Sequence, residues 1–191
     1  MTGDYEERLR AKLAPETIRL TLSYAGLVLL LYEELKYEVV DAVRGFYTFG
    51  ETLEEADYAR DVRSLNTRSL FRASARWLLN NGAITADQIE VLERLYEHRK
   101  DISHELIKYL IDVDYGMDAD LFGQALEVLK DIRKFWTQIA LDEGMVGIPE
   151  GTTADEIAPL SSLVLQNVFD AWVEGVRREQ RAPTGPAEDQ T

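Results

Sequence analysis

The segment Thr85–Leu110, TADQIEVLERLYEHRKDISHELIKYL, decides the fold class of this chain. Its apolar residues recur every three or four positions, at Ile89, Leu92, Leu95, Tyr96, Ile102, Leu106, Tyr109 and Leu110. That spacing is typical of a helix with one face in a core. Thr85 can cap the helix and Gln88 can reach back to it, as in a capping box. The segment therefore predicts a long amphipathic helix that ends near Val113.

Four other periodic segments predict long helices, at about residues 15–46, 53–80, 119–143 and 153–178. Pro15 suits a first helical turn, because its missing N–H would have no partner there. Gly82 can take the left-handed conformation that ends a helix. Thr153 and Glu156 can form a second capping box, and Pro159 predicts a kink or a late start in that helix. Residues 4–13 are compatible with a further short helix.

These segments predict an all-α fold, an antiparallel bundle of about five long helices. We expect a single domain over residues 1–180, since the sequence contains no internal repeat. Residues 181–191, RAPTGPAEDQT, combine proline, glycine and polar residues without periodicity. We expect them to form a disordered C-terminal tail.

The composition limits the function classes. Of the 191 residues, 46% are apolar, and the formal charge of −14 argues against a broad nucleic-acid-binding surface. The chain has no cysteine, which excludes disulfides, thiolate catalysis and cysteine-ligated zinc. The most apolar run, Ala25–Tyr32, is far shorter than the roughly 20 apolar residues that span a bilayer. No signal peptide is evident, so we expect a cytoplasmic protein without membrane contact.

Arg99 is the most informative residue, because it occupies a position of the apolar stripe in the predicted third helix. A charge there is costly unless it is paired or faces a cleft. Ser103 follows one turn later, and His104 lies beside the stripe in a row with Lys100. His98 is six residues from His104, which is poor spacing for two metal ligands. We expect His98 at the surface or at a rim.

The run RKDISHEL, from Arg99 to Leu106, resembles the signature of the HEPN superfamily, an arginine and a histidine separated by four residues on a helix. Members of that superfamily are all-α domains. Many are metal-independent ribonucleases of toxin and defence systems, and others only bind or scaffold. The position after the arginine is commonly a polar residue such as asparagine, whereas this chain has Lys100. That departure bears on substrate handling and on activity.

The resemblance implies that Arg99 and His104 act as a catalytic pair on RNA. A histidine has the right pKa to take the proton of a 2′-hydroxyl that attacks the adjacent phosphate. The planar fork of an arginine can bind the non-bridging oxygens as they gain charge. Lys100, Asp101 and Ser103 would support the site, and the chemistry requires neither a metal nor a cofactor.

Helix geometry limits what one chain can do with this pair. Five residue steps separate Arg99 from His104 by about 140° around a straight helix. Both side chains therefore cannot easily converge on one phosphate. HEPN domains usually dimerise with their two motifs facing a shared cleft, so the resemblance implies a homodimer.

A second feature bears on RNA binding. The acid-free segment Val62–Ala86 carries four arginines, Arg63, Arg68, Arg72 and Arg76. The last three share one helix face and could guide a phosphate backbone, with Arg68 roughly level with Arg99. The alternative is a ladder of ion pairs to three glutamates of the predicted third helix, Glu90, Glu93 and Glu97. We expect the ladder for most of these arginines, with Arg68 as the exception.

Two hypotheses on function follow. The first is a metal-independent endoribonuclease, suited to a toxin or phage-defence role, that acts on RNA and has a cognate antitoxin or other partner protein. The second is a non-catalytic HEPN-like protein that serves as a regulator, scaffold or partner-binding module. The acidic charge and Lys100 favour the second hypothesis. The Arg99–His104 pair and the acid-free arginine segment favour the first.

Overall fold

The computed structural model describes residues 2–49, 52–53, 55–144, 151, 153–157 and 159–181. Residues 182–191, which make up all but the first residue of the predicted disordered tail, lie outside the described residues. Arg181, the first residue of that segment, ends a helix.

Helices make up nearly all of the described chain. In order they are α1 (Thr2–Lys12), α2 (Pro15–Lys36), a π-helical turn (Tyr37–Asp41), α3 (Ala42–Phe46), α4 (Glu55–Asp61), a 3-10 turn (Arg63–Leu65), α5 (Leu70–Asn80), α6 (Ala86–Ile111), α7 (Ala119–Asp142), a second 3-10 turn (Ala154–Glu156) and α8 (Leu160–Arg181). Two strands of two residues each, Thr48–Phe49 and Thr52–Leu53, pair antiparallel between α3 and α4. The predicted all-α fold class is confirmed.

The predicted second helix, over residues 53–80, is wrong. It divides into α4, the first 3-10 turn and α5. The break lies at Asn66, whose side-chain oxygen accepts hydrogen bonds from the backbone N–H groups of Arg68 and Ser69, each at 3.0 Å. The Ser69 hydroxyl then caps α5 by accepting from the Arg72 N–H at 3.3 Å. These local side-chain bonds replace the helical ones that the backbone would otherwise make.

Consequently, the described residues contain four long helices rather than five, namely α2, α6, α7 and α8. The predicted helix at 15–46 is observed as α2, the π-helical turn and α3 in direct succession, with Pro15 at the start. In the π-helical turn, the backbone carbonyl of Glu38 accepts a hydrogen bond from another helix. The donor is Nε1 of Trp136 in α7, at 3.2 Å.

The ends of α6 and α8 follow their capping residues. Before α6, the Thr85 hydroxyl accepts from the Gln88 N–H at 3.3 Å, and the Gln88 side chain accepts from the Thr85 N–H at 2.8 Å. This confirms the capping box, and Gly82 has the left-handed φ of 74°. The box at Thr153 also forms, but it serves only the second 3-10 turn, and α8 begins after Pro159. Of the two effects predicted for Pro159, a kink or a late start of the helix, the late start is observed.

The core surrounds α2, which packs against α6, α7 and α8. Its buried side includes Val28, Leu31 and Leu35, each with no exposed surface. In the apolar stripe of α7, Phe122 and Leu129 are equally buried. Because α2 is in contact with all three other long helices, its rotation about its own axis sets which residues meet each of them.

Arg133 of α7 is buried in this interior, with 6% of its surface exposed. Its Nε donates to Glu38 at 2.8 Å, and its two terminal nitrogens donate to Glu34 and to the Ser162 hydroxyl. The guanidinium therefore joins α2, the π-helical turn, α7 and α8. A buried charge of this kind is tolerated because acceptors surround it.

Among the described residues, no single helix combines the length and the apolar character needed to cross a membrane. The pair formed by Gly3–Lys12 and Pro15–Phe46, bent by 61°, meets the criterion by length and composition only.

We expect Arg133→Ala to lower the free energy of unfolding by about 3–5 kcal/mol, because it leaves the largely buried carboxylates of Glu34 and Glu38 without their counterion. Urea unfolding followed by circular dichroism measures this change. Lys130→Ala is the matched control, since Lys130 pairs with Glu127 at 2.6 Å at an exposed position one turn earlier on α7. That substitution should cost at most about 1 kcal/mol. Equal losses in the two variants would contradict the structural role of Arg133.

Candidate functional site

Arg99 lies at the edge of α6 that faces α2. Its guanidinium carbon is 5.1 Å from the centre of the Tyr32 ring, a cation–π contact. Its Nη2 is 3.8 Å from a carboxylate oxygen of Glu33, which is a long ion pair, and the side chain is 35% exposed. The Nε of Arg99 is buried and has no hydrogen-bond partner within the described part of the chain.

This arrangement differs from that of a purely structural arginine. Burying a polar N–H without a partner costs free energy, and the 3.8 Å contact with Glu33 compensates little of it. Glu33 also accepts from Lys36 at 3.3 Å. The ring of Tyr32 holds the guanidinium of Arg99 in place. The N–H groups of that guanidinium stay largely unused among the described residues and could bind an anion.

His104 is exposed on the same helix and makes no side-chain hydrogen bond within the described ranges. The backbone departs from helical geometry at the next residue, Glu105, with φ −127° and ψ 23°. Neither a hydrogen bond nor a ring contact joins His104 to Arg99 in the part of the chain that the structure describes. Arg99 is in contact with Tyr32 and Glu33 of α2, whereas His104 faces solvent.

The three residues between them have different surroundings. Lys100 is exposed and pairs with Glu97 at 3.3 Å. The Ser103 hydroxyl donates to the backbone carbonyl of Arg99 at 2.9 Å, a bond within the helix. Asp101 is exposed. Lys100 also lines a cavity, and so does Arg68, the site residue that was predicted outside the motif.

That cavity has a volume of about 340 Å³ and lies between α5 and α6. It contains three cationic side chains, two carboxylates, two aromatic rings and a hydroxyl: Arg68, Arg72, Lys100, Glu93, Glu97, Phe71, Tyr96 and Ser69. We call it the α5–α6 cavity. Arg68 and Lys100, both predicted as substrate-binding residues, thus meet at one site.

The predicted ladder of ion pairs forms in part. Arg72 donates to Glu93 at 2.6 Å from Nη2 and at 3.1 Å from Nε. Arg76 instead donates to the Leu65 carbonyl at 3.0 Å, because the break after α4 places that carbonyl within reach. Arg68 is exposed and makes no side-chain ion pair with any described residue. Arg68 is thus an exception, as predicted, but Arg76 is a second one and Arg63 pairs with Glu55 instead, so the ladder does not form for most of these arginines among the described residues.

A cluster of three aromatic rings connects the α5–α6 cavity to Arg99. The Tyr32 ring lies 5.9 Å from Phe71 and 6.1 Å from Tyr96, and the latter two rings are 6.5 Å apart and nearly parallel. Arg99 covers Tyr32, while Phe71 and Tyr96 line the cavity. Sequence periodicity does not reveal this cluster, because its rings come from three helices and periodicity reports on only one helix at a time.

His98, predicted at the surface or at a rim, is half-buried, and both of its ring nitrogens lie close to tyrosine hydroxyls. Its Nε2 is 2.9 Å from the Tyr24 hydroxyl and its Nδ1 is 3.3 Å from the Tyr109 hydroxyl. Tyr24 donates its own proton to the Asp118 carbonyl at 2.7 Å, so Nε2 of His98 must be the donor to Tyr24 and Nδ1 the acceptor from Tyr109. Burial lowers the pKa of His98, against the opposing effects of Asp118 and Asp101. At neutral pH this half-buried ring is therefore uncharged.

No three His, Asp or Glu side chains among the described residues come together in a way that could hold a metal ion. No protein-family model matches this chain, and neither the curated proteins nor the solved structures include one that is significantly similar to it. The resemblance to the HEPN superfamily thus rests on the motif and on its helical surroundings.

The neutral state of His98 makes stability depend on pH. Since its pKa is lowered in the folded state, the unfolded chain binds a proton first as the pH falls through the ordinary histidine value of about 6.5. When the pH is lowered from about 7.5 to about 5.5, we expect the free energy of unfolding to fall less in His98→Gln than in wild type. The variant has no imidazole at this position that the unfolded chain could protonate in preference to the folded one. Urea unfolding at both pH values measures the difference.

His104→Gln is the control in that experiment, because it removes the other imidazole of the chain from an exposed position on the same helix. A His98→Gln variant whose stability falls as steeply as that of wild type would contradict a buried neutral ring.

Proposed function

We propose that this chain is a metal-independent endoribonuclease of HEPN type, in which Arg99 stabilises the reacting phosphate and His104 is the general base. The observation that carries the proposal is the state of Arg99. Its guanidinium is fixed on the Tyr32 ring, its Nε has no partner among the described residues, and its ion pair with Glu33 is long. An arginine held in this way can donate hydrogen bonds to a phosphate without first breaking a strong hydrogen bond within the protein.

The chemistry is a transesterification within the RNA. His104 takes the proton of a 2′-hydroxyl, the 2′-oxygen forms a bond to the adjacent phosphorus, and the bond from phosphorus to the 5′-oxygen breaks. The leaving 5′-oxygen takes up a proton from water, His104 returns its own proton to solvent, and the products end in a 2′,3′-cyclic phosphate and a 5′-hydroxyl. Arg99 donates to the non-bridging oxygens while their charge increases.

The proposed active form is a homodimer, because Arg99 faces α2 and His104 faces solvent on one chain. A second copy could supply the complementary member of the pair in a shared cleft. Asp101 is three residues before His104 and therefore lies on the same side of α6, where its carboxylate could orient the imidazole. Ser103 fixes the backbone of Arg99 through its hydrogen bond to that carbonyl.

The α5–α6 cavity would bind the flanking RNA. Arg68 and Lys100 supply cations for phosphate, and Phe71 and Tyr96 offer ring surfaces of the kind on which single-stranded bases stack. Arg68 is free for this role among the described side chains, whereas Lys100 would have to leave Glu97. The toxin or phage-defence role and a cognate antitoxin come with the resemblance, whereas the cytoplasmic location is proposed from the composition of the sequence.

The second candidate is a non-catalytic HEPN-like regulator, scaffold or partner-binding module. It is favoured by the charge of −14 and by Lys100, which replaces the usual polar residue and is neutralised by Glu97. A protein of this class would keep the fold and the dimer but would not cleave RNA.

We expect the purified protein to cleave total RNA or tRNA in EDTA and to leave cyclic-phosphate ends. Arg99→Ala and His104→Ala should each reduce the rate by about a hundredfold to a thousandfold, because each removes one part of the transition-state stabilisation. Arg94→Ala is the matched control, since Arg94 is exposed on the same helix and pairs with Asp118 at 3.3 Å. Equal cleavage by all four proteins would mean a contaminant or another site. No cleavage by any of them would favour the non-catalytic candidate.

We expect Arg68→Ala to raise KM about tenfold with little change in kcat, because Arg68 would contact RNA away from the reacting phosphate. Steady-state cleavage of a short fluorescent RNA measures both constants. Arg76→Ala, eight residues further along in α5, is the control, because Arg76 bonds to the Leu65 carbonyl and does not line the α5–α6 cavity. A tenfold loss of kcat in Arg68→Ala would place this residue at the reacting phosphate instead.

A further inference from the structure

The outward side of α2 carries a symmetric pattern of exposed residues. The spacing of three, four, four and three residues runs through Arg19, Leu22, Gly26, Leu30 and Glu33. Leu22 is 45% exposed and Leu30 is 47% exposed, although both belong to a helix at the centre of the core. We call these five residues the α2 stripe.

Gly26 has no role within one chain that the described residues explain. A Cβ built on Gly26 meets no atom within 4 Å, and the backbone there is ordinary α-helix. A glycine in the middle of a helix costs about 1 kcal/mol relative to alanine. The absence of a side chain has a use if another helix crosses here, because the distance between two helix axes depends on the side chains at the contact.

We propose that the α2 stripe is a twofold interface between two copies of this chain, with the two α2 helices antiparallel and Gly26 on the axis. This pairing places Leu22 against the partner's Leu30, and Leu30 against the partner's Leu22. It also places Arg19 against the partner's Glu33 at both ends of the stripe. The residues flanking the stripe match as well, because Glu16 and Lys36 are each ten residues from Gly26.

The charges select this orientation over a parallel one. In one chain, Arg19 pairs with Glu16 at 2.6 Å, and Lys36 pairs with Glu33 at 3.3 Å. Antiparallel α2 helices bring these two pairs together with opposite charges adjacent, whereas parallel helices would place each charge against its own copy. Like charges at close range would oppose a parallel dimer.

The α8 helix extends the same surface. It runs antiparallel to α2, because Trp172 Nε1 donates to the Leu20 carbonyl at 2.9 Å and Ser162 meets Arg133 beside Glu34. Leu160, Val164 and Val168 are exposed at i, i+4 and i+8 along α8, at 76%, 48% and 46%. Leu160 and Val164 share an apolar groove with Leu30 of the α2 stripe. A twofold axis across α2 keeps α8 on one side, so α8 meets its own copy and adds apolar contact.

By the same symmetry, the opposite side of α2 brings α6 toward the partner's α6. Arg99 is on that side, because it contacts Tyr32 and Glu33. In the dimer the partner's Arg19 competes for Glu33, which weakens its hold on Arg99. This step deepens the proposed function and rests on it, whereas the interface itself rests on the α2 stripe and on α8.

The test is the mass of the protein in solution, measured by light scattering over a range of concentrations. Gly26→Gln should weaken the dimer about tenfold to a hundredfold, because two side chains would meet at the axis. The folded monomer should not suffer, since Gln is a better helix former than Gly and the position is open. Gly45→Gln, at an exposed and open helical position of α3, is the matched control and should dimerise like wild type.

A charge exchange gives an independent check. Arg19→Glu should weaken the dimer through repulsion with the partner's Glu33, and the double variant Arg19→Glu with Glu33→Arg should recover it. A strictly monomeric wild type, or a dimer that ignores both Gly26→Gln and the charge exchange, would overturn the interface. Cleavage assays on the same samples separate the two proposals. A monomer that cleaves RNA rejects the interface and the shared cleft but not the ribonuclease, and a dimer of this kind without cleavage rejects the ribonuclease alone.

Discussion

The buried guanidinium of Arg133 is the interaction on which the rest of this structure depends. It can lie in the interior because Glu34, Glu38 and Ser162 surround it with acceptors. Since Glu34 belongs to α2, the pairing also fixes the rotation of that helix. The preceding residue, Glu33, then points about 100° away, toward α6 and Arg99. Two adjacent carboxylates of one helix thus serve the core and the candidate site.

Arg99 and Arg133 also explain what sequence reasoning can reach. Each arginine occupies a position of an apolar stripe, Arg133 four residues after Leu129 and three before Trp136. A charge in an apolar stripe marks Arg133 as clearly as it marks Arg99, although Arg133 was not among the residues predicted from the sequence. Periodicity detects a misplaced charge but not its partners, because those come from other helices. The structure separates the two arginines. Each guanidinium nitrogen of Arg133 has an acceptor, whereas the Nε of Arg99 has none within the described part of the chain.

The fold was predictable where local signals agree with one another. The capping box of Thr85 and Gln88, the left-handed Gly82 and the apolar stripes placed α6 and α7 almost to the residue. The helix expected over 53–80 failed because the side chains of Asn66 and Ser69 bond to nearby backbone N–H groups. Such competition is harder to recognise in a sequence than a proline or a glycine, because asparagine and serine also occur inside helices.

The two histidines show the same limit from the other side. His98 and His104 are six residues apart on α6, and composition treats them alike. One is enclosed between Tyr24 and Tyr109 as a neutral ring, and the other is exposed. Of the two, His104 therefore keeps the capacity to exchange a proton with a substrate. Arg99 likewise keeps unused donors. The proposed roles of His104 as general base and of Arg99 as the phosphate-binding group therefore call for a second copy, because on one chain the two side chains do not meet and Arg99 is turned toward α2.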